Sequence, residues 1–159
     1  MMKQPFVEDL TLPLVVVVVV VAFLTIFTHF GFSQDCKKCD IDKLIELSDS
    51  MENLKYQTVK NFICTFDSTC KSNIEFSEWS NELLFKLIDK DLDMLNGALH
   101  ELGHNYVELI SLELESPVIE VDLNKLYRIV EKSTEPKDIT YEEKTALKKA
   151  AAKEGIKLE

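Results

Sequence analysis

The 159-residue chain is poor in turn formers, with 4 glycines and 4 prolines. That scarcity argues against a fold of many short strands joined by tight turns and favours long helices. No glycine-rich loop is present to cradle a phosphate, and no basic stripe: 18 basic side chains face 28 acidic ones, for a net charge of −10. Nucleic acid is therefore not expected as a partner, because neutralising phosphates takes clustered Lys and Arg. No internal repeat stands out. The length leaves room for one small domain with a single core.

What the sequence does have is a hydrophobic N-terminus. Residues 14–27 read LVVVVVVVAFLTIF, and the apolar character continues to Phe32. Gly31 and Ser33 supply small residues at −3 and −1 of a signal-peptidase site before Gln34, so residues 1–33 read as a cleaved signal peptide. Two features disagree with that reading and leave an uncleaved signal-anchor, and behind it a buried core segment, as alternatives. The leading segment carries Lys3 against Glu8 and Asp9, and the apolar stretch 12–32 is close to bilayer-spanning length. No lipobox precedes Cys36. The signal-peptide and signal-anchor readings both export residues 34–159 to the periplasm or beyond, and membrane contact comes only through the N-terminal segment. The exported part holds 17 basic and 26 acidic side chains.

All four cysteines fall in that part: Cys36-Lys-Lys-Cys39 and Cys64-Thr-Phe-Asp-Ser-Thr-Cys70. They allow three disulfide pairings. An oxidising compartment makes structural disulfides the expectation, since small exported domains gain most from them. A four-thiolate zinc site is the rival reading, but the second pair is spaced by five residues, not two. Redox catalysis would need Cys36 to open a helix within a βαβ unit, and no strand precedes it.

From Asp40 onward the apolar spacing is helical. Leu44, Ile45, Leu47, Met51 and Leu54 follow a cap at Asp40 or Asp42. Val59, Phe62, Ile63 and Phe66 form a second segment. Ser77 reads as the cap of a third, with Trp79, Leu83, Leu84, Leu87 and Ile88 on its inner face. A fourth runs from Leu92 to about Glu115, where Leu92, Leu95, Leu99, Leu102, Tyr106 and Leu109 make a heptad-like seam. Val118 to Val121 is the only strand-like stretch. Asp122 caps a helix with Leu123, Leu126, Tyr127 and Val130 inward. Thr140-Tyr-Glu-Glu143 reads as a capping box opening a last helix that Gly155 ends. The expectation is an all-α bundle of five or six helices after the signal or anchor helix. Residues 34–133 form the disulfide-containing domain, and 134–159 a peripheral charged helix.

One stretch carries chemistry: His100-Glu101-Leu102-Gly103-His104. Two histidines at i and i+4 can reach one zinc from one helical face, with the intervening glutamate as general base. Residues His100 to Asn105 resemble the zincin metallopeptidases. The resemblance implies His100 and His104 as ligands, Glu101 as base and zinc as cofactor. The extended metzincin form needs Gly at 107 and His at 110, where this chain has Val107 and Ile110. The gluzincin form takes a downstream glutamate, for which Glu143-Lys-Thr-Ala146 offers Glu143. Zincins also place a small sheet before the active-site helix, and residues 40–95 read as helix. On a wheel with Leu99 at zero the apolar seam spans about −80° to +80°, with His100 near ~100°, His104 near ~140° and Glu101 near ~200°. The histidines thus fall at the margin of a polar face, where Asp93 or Glu108 could share a surface metal.

The stretch Cys64 to Cys70 followed by EFSEWSNELLF, residues 75–85, resembles small exported bacterial helical proteins of uncharacterised function, loosely over residues 36–130. That resemblance implies export and an all-α fold. The leading functional expectation is an acidic protein-interaction module without a cofactor, of immunity or inhibitor type, whose protein partner is basic. A small zinc peptidase is the alternative, and an envelope-anchored structural protein the third. Trp79 and the phenylalanines at 62, 66, 76 and 85 read as core at helical spacing, not as a ligand pocket.

Overall fold

The computed structural model describes residues 36–133 and 136–158. The expected signal or anchor segment, residues 1–33, lies outside the described residues. Among these the secondary structure is helical throughout, with no strand. The helices are α1 (Ile41–Ser50), α2 (Tyr56–Cys64), α3 (Ile74–Leu102), α4 (His104–Leu114), α5 (Leu123–Lys132) and α6 (Lys137–Lys153), with 3₁₀ turns at Met51–Asn53 and Ser68–Ser72. No helix among the described residues is long and apolar enough to cross a membrane.

Capping explains several boundaries. Asp40 accepts from Asp42 N at 3.2 Å to open α1, and Asp122 accepts from Lys125 N at 2.9 Å to open α5. The third helix starts earlier than the sequence suggests: Asn73, not Ser77, caps α3 by accepting from Phe76 N at 3.2 Å. The expected division near Leu92 survives as a kink within α3. Asp91 leaves helical geometry (φ −160°, ψ 80°), and its carboxylate caps the next turn by accepting from Met94 N at 2.9 Å. The real break comes later, at Gly103 (φ 93°, ψ 175°), so the expected helix Leu92–Glu115 is two helices.

Val118 to Val121 is not a strand. Among the described residues it has no partner strand to pair with, and it serves as the connection from α4 to α5. The proposed capping box at Thr140 is also absent. The helix begins three residues earlier, Thr140 Oγ1 bonds back to Pro136 O and Lys137 O, and Glu143 turns inward. At the other end Gly155 (φ 70°) closes α6 as expected. Its N–H bonds Ala152 O at 3.3 Å, and Ile156 N–H bonds Ala151 O at 2.8 Å.

Helix α3 is the hub, touching each of the other five helices, with α1 and α2 together on one flank and α6 against α4 and α5 on another. Leu83, Leu84, Leu87, Leu95 and Leu99 of α3 are buried against Leu44 and Leu47 of α1 and Phe62 and Ile63 of α2. The edge-on rings of Phe62, Phe66 and Phe76 fill the end near the second cysteine pair. The last helix is not peripheral. Ile139, Ala146, Leu147, Ala150 and Ala151 are all buried, and α6 belongs to the same compact unit as the rest of residues 36–159. Its alanines give a low-hydropathy sequence but let the helix approach its neighbours closely, which buries backbone as well as side chain.

The cysteines pair as Cys36–Cys64 and Cys39–Cys70, with Cα separations of 5.4 and 5.5 Å. No thiol is left free. The loops closed are 28 and 31 residues, each expected to add about 3–4 kcal/mol by restricting the unfolded chain. Paired cysteines fit an oxidising compartment.

Candidate functional site

The HELGH residues sit at the junction of α3 and α4. His100 and Glu101 end α3, Gly103 turns the chain, and His104 begins α4. Because the helix stops at Leu102, the two histidines are not on successive turns of one helix, as the motif reading requires. They nevertheless line one cleft of about 460 Å³. Its floor is Leu99, Val107 and Ile139. Its far wall comes from the first turns of α6, with Asp138 and Glu142 on it.

Glu101 is not part of that lining. It reaches toward α2, where Lys60 Nζ donates to it at 2.6 Å and the Tyr56 hydroxyl hydrogen-bonds to it. The Lys60 hydrogen bond holds the Glu101 carboxyl below its usual range. Burial, with Glu101 beside it, pushes the Tyr56 hydroxyl up to about 12. A carboxylate engaged this way ties α3 to α2 and does not face a water held by the histidines. His104 Nε2 lies 3.2 Å from Glu108 Oε1, one turn along α4, with both side chains mostly in solvent.

Glu143 does not approach the histidines either. Its side chain is 1% exposed in the interior, where Asn96 Nδ2 of α3 donates to Oε2 at 3.4 Å. Burial raises its carboxyl to about 8, and the Asn96 bond opposes that only in part. Successive residues on a helix point about 100° apart, so Glu142 meets the histidine cleft and Glu143 the core. The acidic residues that line the cleft with His100 and His104 are therefore Asp138 and Glu142, which the sequence reading missed. Their i, i+4 spacing is the signal that was there to be found. Asp93, the other suggested surface ligand, instead accepts from Ser133 Oγ at 3.3 Å.

Among the described residues no three His, Cys, Asp or Glu side chains are grouped to hold a metal ion. No protein-family model, curated protein or solved structure matches the chain. The site is an open, mixed-charge cleft at a helix junction, with the motif's glutamate held by Lys60 and Tyr56 instead.

Proposed function

We propose that residues 34–159 act as an exported acidic helical module that binds another protein, in the manner of an immunity or inhibitor protein that caps a toxin or hydrolase. The observation that carries this reading is a set of large apolar side chains left in water on a cross-linked frame. Ile74, Leu112, Val118 and Tyr141 are each more than half exposed. Exposed apolar side chains on a rigid scaffold cost solubility and gain affinity when a partner covers them.

The rival is a small zinc metallopeptidase, and one observation favours it: His100 and His104 share a cleft. Zinc content per chain, measured without added metal on the wild type and on His104→Ala, separates the two readings. The interaction reading expects no zinc that depends on His104. It also expects a complex that can be rebuilt from two purified components at fixed stoichiometry. One zinc per chain lost with His104, together with peptide hydrolysis abolished by Glu101→Gln, would overturn it.

A further inference from the structure

A second hollow lies on the opposite end of α3 from the HELGH junction. Glu75, Glu78, Trp79 and Glu82 line it from the helix, and Val118 and Ile119 from the α4–α5 connection, enclosing about 490 Å³. The helix residues step by i, i+3, i+4 and i+7, so they form one stripe about 10 Å long. Trp79 rests partly on the core and Val118 is 53% exposed, so the hollow mixes apolar surface from Trp79, Val118 and Ile119 with the carboxylates of Glu75, Glu78 and Glu82.

The connection that supplies Val118 is held in place from beneath. Asn81 of α3 is fully buried, and its Nδ2 donates to Glu113 O at 3.1 Å and to Glu113 Oε2 at 3.0 Å. Its Oδ1 accepts from Val118 N at 3.0 Å. An apolar residue standing in water is thus fixed by a buried polar anchor, and little ordering is left to be done on binding. Charge on the stripe is only partly balanced. Lys86 pairs with Glu82 at 2.6 Å, while Glu75 and Glu78 have no ion-pair partner among the described residues. A second copy of this chain, itself at −10, would be repelled.

We propose that this hollow is the docking site for a basic amphipathic segment of the protein partner, its cations on Glu75 and Glu78 and its apolar side chains against Trp79, Val118 and Ile119. The inference rests on the interaction reading and names the surface it uses. Ile119 also borders a smaller hollow of about 180 Å³ with Phe85 and Val121, which gives an extended segment room to continue.

Trp79 is the only tryptophan of the chain, so its fluorescence reports this site alone. The full-length oxidised protein is titrated with a synthetic lysine–leucine peptide spaced as an amphipathic helix. A lysine–serine peptide of equal charge serves as control. The expected result is a blue shift of Trp79 emission with the first peptide, weakened roughly tenfold in Glu75→Lys/Glu78→Lys and by added salt. Both positions are exposed, so an unchanged melting temperature of the variant shows that the fold is intact. No shift, or the same shift with the lysine–serine peptide, would overturn the site. So would self-association of the wild type that the charge reversal abolishes. A partner complex that forms equally well with the charge-reversed variant would sink this surface and leave the interaction reading standing. Absence of any complex in both proteins would sink the interaction reading itself.

Discussion

Asn96 on α3 and Glu143 on α6 face each other inside the core, with Asn96 Nδ2 donating to Glu143 Oε2 at 3.4 Å and neither residue more than 1% exposed. Asn96 Oδ1 and Glu143 Oε1 are left without partners. A protonated Glu143 has an O–H to offer where an ionised one has only acceptors, so the neutral acid suits this position.

That pair sets a pH dependence. The unfolded chain releases the Glu143 proton near 4.5, and the folded protein holds it to about 8. Between those values the native state binds the extra proton, so stability falls as pH rises, by roughly 1.4 kcal/mol per pH unit. Below 4.5 and above about 8 this contribution is flat. Urea midpoints across the window should decline in the wild type and level out in Glu143→Gln. A flat wild-type profile would contradict the buried neutral acid.

Gly97, before the motif, and Gly103, within it, should respond oppositely to alanine. Gly103 has φ 93° and ψ 175°, a region close to glycine-only, so Gly103→Ala should cost about 1–3 kcal/mol despite open space around its Cβ position. Gly97 is helical, and a Cβ there meets Tyr56 Cε2 at 3.4 Å, an ordinary contact. Gly97→Ala should therefore raise stability by up to about 1 kcal/mol. Thermal melts of both variants test the contrast.

Asn81→Ala should cost roughly 2–4 kcal/mol, because the Val118 N–H and the Glu113 carbonyl lose their buried partner. Amide exchange at Val118 should accelerate more than at Leu84, one turn further along α3. Equal acceleration at the two would mean that the connection is not held by Asn81.

Replacing Cys36 and Cys64 by serine should lower stability by about 3–4 kcal/mol and leave the Cys39–Cys70 bridge closed. Thiol titration of the unfolded wild type should find no reactive cysteine until a reductant is added.

Much of the fold was legible because the strongest signals were local. Leu44, Leu47, Phe62 and Ile63 were spaced for helices, and Asp40, Asp122 and Gly155 carried their own capping chemistry. The burial of α6 is not legible in its sequence because alanine contributes little hydropathy, and what buries Ala146, Ala150 and Ala151 is the close approach of α4 and α5. The break at Gly103 was hidden by a seam of leucines whose spacing runs unbroken across it. The disulfide pairing was open because three connectivities satisfy the same spacing. The two hollows were only half within reach of sequence patterns: Asp138 and Glu142 share a helical face, as do Glu75, Glu78, Trp79 and Glu82, but each set meets its opposite wall from far along the chain only after folding.

The interleaved bridges also determine how the domain bears mechanical load. A pull applied at Cys36 passes through sulfur to Cys64, and one at Cys39 to Cys70, so α1 and α2 lie inside covalent bypasses and carry no tension. For a pull from the N-terminal side the first long helix to feel force is α3, the hub of the core, and not α1, which would otherwise peel away. In an oxidised molecule stretched to its full contour about 100 Å of chain stays locked, and reductant releases it.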